Sequence, residues 1–176
     1  MLGRRQILQH AALGLLAPGQ PVGMNRPAPE LEGTQWINAA APVRLKERRG
    51  KVTIVHFWTF GCINCKRNLP VYRRWHERYS MQDAVTVGVH TPEFEHEAKA
   101  ANVAAQTRLL EIAYPVLPDP GHVNWRRWNQ QFWPTVYLVD RRGRIRYRWE
   151  GELNYGQLDG ERKMTALIET LLEETP

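Results

Sequence analysis

The sequence has only two cysteines among its 176 residues, and it has no low-complexity tract and no internal repeat. Two cysteines exclude the multiple-disulfide framework of a small secreted scaffold and a zinc site with four cysteine ligands. No stretch of about 18 uncharged apolar residues occurs, which argues against a transmembrane span inside the domain. A chain of this length can form one hydrophobic core without stabilising disulfides or metal ions, so we expect a single domain.

The chain has no excess of acidic residues, because 24 lysines and arginines outnumber 18 aspartates and glutamates and give a net charge of +6. Clustered positive charge would favour acidic partners, nucleic acid or anionic lipid. Here the arginines are dispersed, with short runs at 73–74, 126–127 and 141–148. We therefore interpret the charge as a solvated surface and predict no nucleic-acid partner.

The first 24 residues differ in character from the rest of the chain. Arg4 and Arg5 form a basic start, a modest apolar stretch follows from Ala11 to Ala17, and proline and glycine come next. This order resembles a short export signal, although no clean Ala-x-Ala cleavage site follows. We predict that residues 1–24 are an export signal or a disordered N-terminus and that the domain spans 25–176. The predicted location is the bacterial periplasm or the outer face of the membrane, with anchoring only through this segment; a cytoplasmic location is the alternative.

Hydrophobic patterning predicts an α/β domain with a central sheet and helices on both faces. The runs at 51–60 and 84–90 are apolar almost throughout, as is typical of strands buried on both faces. A short strand is predicted at 114–119, and a β-hairpin turns at Gly143. The predicted helices cover 62–79 with Pro70 inside, 94–112, 121–131 after a capping Asp119, and a last segment capped by Asp159.

Both cysteines lie in the stretch WTFGCINCKRNLP, residues 58–70, where a predicted strand gives way to a helix. In the first turn of a helix, unpaired N–H groups and the positive end of the dipole lower the pKa of a thiol. We therefore expect Cys62 to be the nucleophile that attacks a partner's disulfide. Cys65 lies three residues on, on the same helix face, where it can resolve the mixed disulfide. Ile63 and Asn64 are expected to tune the reduction potential.

Two other roles of such a pair are less well supported. Structural zinc needs two further ligands, and without a second cysteine pair these would have to come from the six histidines. A purely structural disulfide that closes so short a loop would remove little chain entropy. We predict a redox couple that needs no cofactor and no metal. The alternative from another class is a copper-binding module that uses Cys62, Cys65 and a nearby histidine.

The stretch FWTFGCINCKRNLP resembles the active-site segment of thioredoxin-like proteins, with Phe-Trp before Cys-x-x-Cys and a proline eight residues after the first cysteine. Together with GVHTPEF and FWPTVYLVDRRGRIRY, it is similar to the TlpA/ResA-like group, and especially to the thioredoxin-like domain of DipZ-type proteins. PAPELEGTQWIN is similar to that group's N-terminal lead-in. The resemblance implies a thioredoxin fold with a mixed sheet, a helix-strand insertion at about 91–118, and thiol:disulfide oxidoreductase activity.

The resemblance also assigns roles to individual residues. Cys62 corresponds to the nucleophilic cysteine and Cys65 to the resolving one. Pro134 corresponds to a cis-proline whose turn exposes backbone groups to a bound substrate strand. Trp133 is implied to flank the cleft and Trp58 to pack near the disulfide, so Trp58, Trp133 and Pro134 are the implied substrate-binding residues.

Two positions depart from the pattern of the family. Many thioredoxins have a buried acid immediately before Phe-Trp that moves protons to and from the buried cysteine, and here that position holds His56. Some relatives carry a carboxylate shortly after the second cysteine, where this chain has Asn68. Three candidates for the proton shuttle therefore stay open: His56, Glu93 in the HTPEF loop, and water.

The expected function is disulfide exchange with partner proteins, in the reducing direction by resemblance, with an upstream redox partner and a monomeric enzyme. The residues themselves leave the direction of electron flow open. A thiol peroxidase is a further alternative, which we rank lower on the interpretation that the motif lacks the Thr-x-x-Cys arrangement of such enzymes.

Overall fold

A computed structural model describes residues 19–175, which form one six-stranded sheet with helices on both faces. The strands are β1 (Val22–Pro27), β2 (Val52–Trp58), β3 (Ala84–His90), β4 (Val116–Pro118), β5 (Thr135–Val139) and β6 (Arg144–Glu150). The α-helices are α1 (Ile63–Tyr79), α2 (Ala100–Leu109), α3 (Val123–Arg127) and α4 (Gly160–Glu173). Two short 3-10 helices cover Leu45–Arg48 and Glu95–Ala98.

The sheet is mixed, with the strand order β1-β6-β5-β2-β3-β4. The central strands β2 and β3 run parallel, whereas β5 is antiparallel to β2 and to β6. Every residue of β2 and β3 is buried, as their apolar runs predict. Because parallel strands end at the same edge, the loops that follow Trp58 and His90 leave the sheet side by side.

The core consists of two hydrophobic clusters, one on each face of the sheet. Helices α1 and α4 cover the face that includes Cys65, with side chains such as Trp75 and Ile168. The other face is covered by Trp128, which follows α3, together with Leu31 and Leu45. Within residues 19–175, none of the helices is long and apolar enough to cross a membrane.

Several element boundaries differ from the sequence-based prediction. Strand β1 begins at Val22 and pairs with β6, so the predicted domain boundary at residue 24 falls inside a strand. The predicted export signal falls mostly on residues 1–18, which lie outside the described residues. The predicted helix at 94–112 is divided into a 3-10 helix and α2.

Helix caps account for a further difference. The Asp119 carboxylate accepts hydrogen bonds from the N–H groups of Asn124 and Trp125, so it caps α3 as predicted. The Asp159 side chain makes no capping bond to α4 and instead pairs with Arg162 and Lys163. Pro70 lies inside helix α1 as predicted, the helix continues past it to Tyr79, and the proline is exposed to solvent.

Candidate active site

Cys62 stands where the loop after β2 enters α1. It is the N-cap residue of the helix, and its Sγ accepts a hydrogen bond of 3.1 Å from the backbone N–H of Cys65. Its own N–H donates to the Thr59 carbonyl oxygen over 3.3 Å, which closes the loop. Cys62 is half-buried, whereas Cys65 is completely buried in the core cluster beneath it. A partner can therefore reach only the first of the two thiols.

The surroundings separate the pKa values of the two thiols. The side chain of Cys65 and the N–H groups of Cys65 and Asn64 lower the pKa of Cys62 from 9.0 to about 7, against the effects of burial and the charge of Glu93. Burial raises the pKa of Cys65 far above its ordinary value, and the adjacent Cys62 raises it further. Cys62 is thus a thiolate in part at neutral pH, and Cys65 is a thiol.

The predicted substrate-binding residues occupy two different environments. Trp133 and Pro134 are joined by a cis peptide bond, and the half-buried Trp133 ring lies 4.0 Å from the ring of Trp125. Trp58, in contrast, is completely buried and packs in the same core cluster as Cys65. Since its side chain has no exposed surface, direct contact of Trp58 with a partner is incompatible with this structure.

His56 lies in a box of aromatic rings at the centre of the sheet. Its ring stacks on Tyr72 at 4.2 Å, meets Tyr114 edge-on at 5.4 Å and lies 6.3 Å from Trp58. Among residues 19–175, neither of its ring nitrogens has a hydrogen-bond partner. Burial lowers the pKa of His56 to about 3, so the imidazole is neutral at physiological pH.

Glu93, the second candidate for proton transfer, and Asn68, where some relatives carry a carboxylate, have different roles in the structure. Glu93 is exposed, and its charge raises the pKa of Cys62, which places it near the outer thiol. Asn68 is buried and links α1 to the turn after β6, since its side chain donates to the Gly151 carbonyl oxygen and accepts from the N–H of Leu153. The amide at residue 68 therefore acts as a structural bridge.

Three polar residues around the cysteine loop were missed as functional candidates. The Thr59 hydroxyl lies 3.3 Å from Nε2 of His90, and this nitrogen also accepts from the N–H of Phe60 over 3.3 Å. The Glu97 carboxylate accepts from the N–H of Gly61 over 2.6 Å. Thr59 follows β2 and His90 ends β3, and this position at the ends of two adjacent parallel strands is the signal that could have found both residues, because sites form at that edge. Glu97 lies further along in the inserted segment, where the sequence carries no such signal.

The position of Thr59 shows that the sequence analysis was wrong about the Thr-x-x-Cys spacing. It stands three residues before Cys62, so the Thr-x-x-Cys spacing is present and the interpretation that it is absent was wrong. In the structure the Thr59 hydroxyl contacts the His90 ring and the Glu97 carboxylate. The spacing alone therefore does not separate a thiol peroxidase from a disulfide oxidoreductase.

The copper alternative needs a third ligand beside the two cysteines. In the part of the chain that the structure describes, no group of three His, Cys, Asp or Glu side chains is placed to hold a metal ion. The buried histidines His56 and His90 are instead enclosed by aromatic rings. Among the described residues, the copper alternative therefore has no identified third ligand.

Comparison with known proteins agrees with this geometry. A model of the AhpC/TSA family matches residues 24–148. Protein DipZ of Mycobacterium tuberculosis is 38% identical over 131 residues, which make up 73% of this chain and 19% of that protein. The chain thus spans about a fifth of the DipZ relatives that it matches. The thiol-disulfide oxidoreductase YkuV of Bacillus subtilis is 27% identical over 125 residues, 70% of this chain and 83% of that protein.

A solved structure of a thioredoxin-like superfamily protein, SPOA0173, matches with a TM-score of 0.76 and 25% identity over 86% of this chain and 99% of the other. The predicted thioredoxin fold and the resemblance to TlpA/ResA-like proteins are thereby confirmed. Since the family model covers well over half of its residues, this chain belongs to the AhpC/TSA family of thioredoxin-like proteins.

Proposed function

We propose that this chain is a thiol:disulfide oxidoreductase that reduces disulfides of partner proteins through Cys62 and Cys65. The observation that carries the proposal is the asymmetry of the two thiols. Cys62 is accessible, and its pKa is lowered to about 7, whereas Cys65 is completely buried with a raised pKa. Disulfide exchange needs this pair, because a thiolate must attack first and a protected thiol must act second.

The reaction proceeds in two exchange steps. The Cys62 thiolate attacks one sulfur of the partner's disulfide, forms a mixed disulfide and releases the first partner thiolate. Cys65 then loses its proton and attacks the Cys62 sulfur, which forms the Cys62–Cys65 disulfide and releases the second partner thiolate. The partner gains two electrons, and a thiol donor upstream must return two electrons to the domain.

The pKa of Cys62 supports the reducing direction. A strongly stabilised thiolate makes a protein an oxidant, as in DsbA, where the cysteine has a pKa of about 3.5 and the potential is about −120 mV. In thioredoxin the corresponding pKa is about 7 and the potential about −270 mV. The value of about 7 for Cys62 therefore supports a reductant of the thioredoxin kind.

His56 is our proposed proton relay for the second step. Its ring stacks on Tyr72, whose own pKa is raised mainly by burial and in part by the charge of Cys65, so Tyr72 connects His56 to the buried thiol. A pKa of about 3 makes an imidazolium unfavourable, so His56 would act as a neutral relay, with water reaching the ring nitrogens that have no partner among the described residues. Glu93 is less suited, since it is exposed while Cys65 is buried.

We also propose that the protein works outside the cytoplasm, as a monomer, on thiols and disulfides of other proteins. The basic and apolar order of the first residues supports export, and a dithiol that must be supplied with electrons from upstream is consistent with that location. Trp133 and Pro134 would meet the partner's strand with the half-buried Trp133 ring and the backbone of the cis peptide bond, since the Pro134 side chain itself is buried.

A second candidate function follows from the Thr59–Cys62 spacing. In a thiol peroxidase the Cys62 thiolate would attack a peroxide oxygen, forming a sulfenic acid and releasing water or an alcohol. Cys65 would then condense with the sulfenic acid to give the same disulfide and water. Rapid consumption of hydrogen peroxide by the reduced protein would favour this function over exchange with protein disulfides.

The deciding measurement is the equilibrium reduction potential of the Cys62–Cys65 couple in dithiothreitol buffers. We expect about −270 mV, the value of a thioredoxin-like reductant, whereas a value near −120 mV would contradict the reducing direction. The Cys65→Ser variant is the control, because it should form a mixed disulfide at Cys62 but no internal disulfide. Failure of the parent protein to form an internal disulfide at any potential would refute the proposed function.

A further inference from the structure

Glu97 is a buried carboxylate in the segment inserted between β3 and α2. It lies in the 3-10 helix Glu95–Ala98 and is the residue of that helix with no exposed surface, while Glu95 and His96 are exposed. Burying an ionised carboxylate is costly unless hydrogen bonds or a cation compensate. Its partners among the described residues are therefore informative.

The carboxylate is held by hydrogen-bond donors. Oε2 accepts from the N–H groups of Glu93 over 2.7 Å and Phe94 over 2.9 Å, and Oε1 accepts from the N–H of Gly61 over 2.6 Å. The nearby Thr59 hydroxyl also favours the ionised form of the carboxylate and lowers its pKa. Burial raises the pKa of Glu97, but these donors outweigh burial and lower the pKa overall, so the side chain is ionised at neutral pH.

Local helix capping explains only part of this arrangement. A glutamate at the third position of a helix commonly accepts from the N–H at the start of the same helix, as Glu97 does with Phe94. The bond to Gly61 has no such origin, because Gly61 is 36 residues away in the chain. A side chain at residue 61 would collide with Oε1 of Glu97, so glycine is needed for this contact.

Gly61, whose N–H binds Oε1 of Glu97, immediately precedes Cys62, and the N–H of Phe94 binds the other carboxylate oxygen, Oε2. The Phe94 ring is 55% exposed and comes within 3.8 Å of the place where a Cβ of Gly61 would stand. One carboxylate thus binds the backbone that presents the reactive thiol and the backbone that presents an exposed aromatic ring beside it. Displacing the carboxylate would free both.

We propose that Glu97 is a positioning residue for disulfide exchange, which holds the Cys62 loop and the Phe94 loop as one preformed surface for the partner's strand. The proposal rests on the proposed function, because the surface matters only when a partner disulfide approaches Cys62. Preorganisation of this kind strongly affects rates, since a misplacement of about 1 Å can slow a reaction about a hundredfold.

The test compares Glu97→Gln and Gly61→Ala with the parent protein. In Glu97→Gln, an amide N–H₂ group replaces one carboxylate oxygen and faces backbone N–H donors. In Gly61→Ala, the new methyl group displaces an intact Glu97 carboxylate. The two variants therefore break the hydrogen bonds between Glu97 and the Cys62 loop by different means. We expect reduction of insulin disulfides to slow about 10- to 100-fold in each variant. Glu95→Gln is the matched control, because Glu95 is an exposed carboxylate on the same 3-10 helix.

The pH profile of Cys62 alkylation by iodoacetamide separates positioning from other roles. Displacing Gly61 moves Cys62 away from the N–H groups of Asn64 and Cys65, so the alkylation midpoint should rise in both variants. Loss of negative charge alone would lower the midpoint in Glu97→Gln, and loss of stability alone would leave it unchanged at a temperature where circular dichroism shows a folded protein. Either of these results, or insulin reduction within about twofold of the parent, would overturn the proposal.

The two proposals fail in different ways. If the parent protein does not reduce insulin, the proposed function fails, while the alkylation midpoint still reports whether Glu97 positions Cys62. If the parent reduces insulin and both variants match it, only the positioning role fails. Should Glu97→Gln not fold, Gly61→Ala retains the carboxylate and carries the test.

Discussion

The polar groups on the two sides of the cysteine pair differ in how many hydrogen-bond partners they have. On one side, which we call the loop network, Thr59, Phe60, Gly61, His90 and Glu97 are joined by hydrogen bonds. On the other side, which we call the aromatic box, His56 is enclosed by Trp58, Tyr72 and Tyr114. Among the residues that the structure describes, the ring nitrogens of His56 and the hydroxyl of Tyr114 have no partner.

The difference is clearest in the two histidines. Nε2 of His90 accepts from the N–H of Phe60, and the charge of Glu97 partly offsets the burial that lowers the pKa of His90 to about 4. His56 meets only rings and has a pKa of about 3. Burial alone therefore does not reveal what a polar side chain does. The loop network fixes the backbone before Cys62, whereas the aromatic box keeps a neutral imidazole behind Cys65.

The largest effect is expected from a substitution that disrupts the aromatic box. His56→Leu should slow the second exchange step about a hundredfold, because a positioned relay contributes at least that much to proton transfer. Reaction with dithiobis(nitrobenzoate) separates the steps, since attack by Cys62 releases the first nitrothiobenzoate and attack by Cys65 releases the second. The first release should be unchanged. Equal rates of the second release in His56→Leu and the parent between about pH 6 and 9 would remove His56 from the mechanism.

A matched pair of variants compares the stability of the two sides. At pH 8, His90→Leu should lower the free energy of unfolding by about 1–3 kcal/mol, because it leaves the buried N–H of Phe60 without a partner. His56→Leu should change it by less than about 1 kcal/mol, since no hydrogen bond is lost among the described residues. Urea unfolding measures both values, and equal losses would contradict the distinction between the two sides.

The same pair of variants predicts a pH dependence. Each histidine binds a proton in the unfolded chain at about pH 6.5 but resists it in the fold, so the stability that each contributes is complete above pH 6.5 and falls as the pH drops. For each histidine, the free energy of unfolding falls by roughly 1.4 kcal/mol per pH unit until the pH reaches the folded pKa. This pKa is about 4 for His90 and about 3 for His56. Either substitution should therefore reduce the slope of the free energy of unfolding against pH, which urea unfolding at several pH values measures.

The smallest expected effect lies at the exposed edge of the site. Glu93→Gln removes a charge that raises the pKa of Cys62, so the pKa should fall further below its ordinary value. Because Glu93 is exposed to solvent, the alkylation rate at pH 6 should rise only about twofold, and high salt should abolish the difference. Glu95→Gln serves as control. A lower rate in Glu93→Gln would show that Glu93 supports the thiolate instead of opposing it.

Local sequence signals predicted much of the fold and the centre of the site. The continuous apolar runs of β2 and β3 indicated buried strands because a strand inside an α/β sheet has no polar face. The spacing of Cys62 and Cys65 at a helix start indicated their unequal thiols, since the N-cap geometry depends only on residues a few positions apart. The hairpin around Gly143 was equally local.

Contacts between distant residues could not be predicted in this way. The pairing of β1 with β6 and the box around His56 each depend on segments that meet only after the sheet has formed. The motif GVHTPEFEHE contains Glu97, but nothing within it indicates a bond to Gly61, 36 residues earlier.

The amino-acid sequence by itself thus determined an α/β domain and the position of two cysteines at a helix start, because propensity, hydrophobic period and helix capping act over a few residues. The resemblance of its motifs to those of known proteins added the thioredoxin-like fold. Only the tertiary structure decided which buried polar groups serve the loop before Cys62. The parallel register of β2 and β3 places Trp58 opposite His90 and so brings the two following loops together. That register makes a glutamate in the inserted segment a neighbour of the reactive thiol.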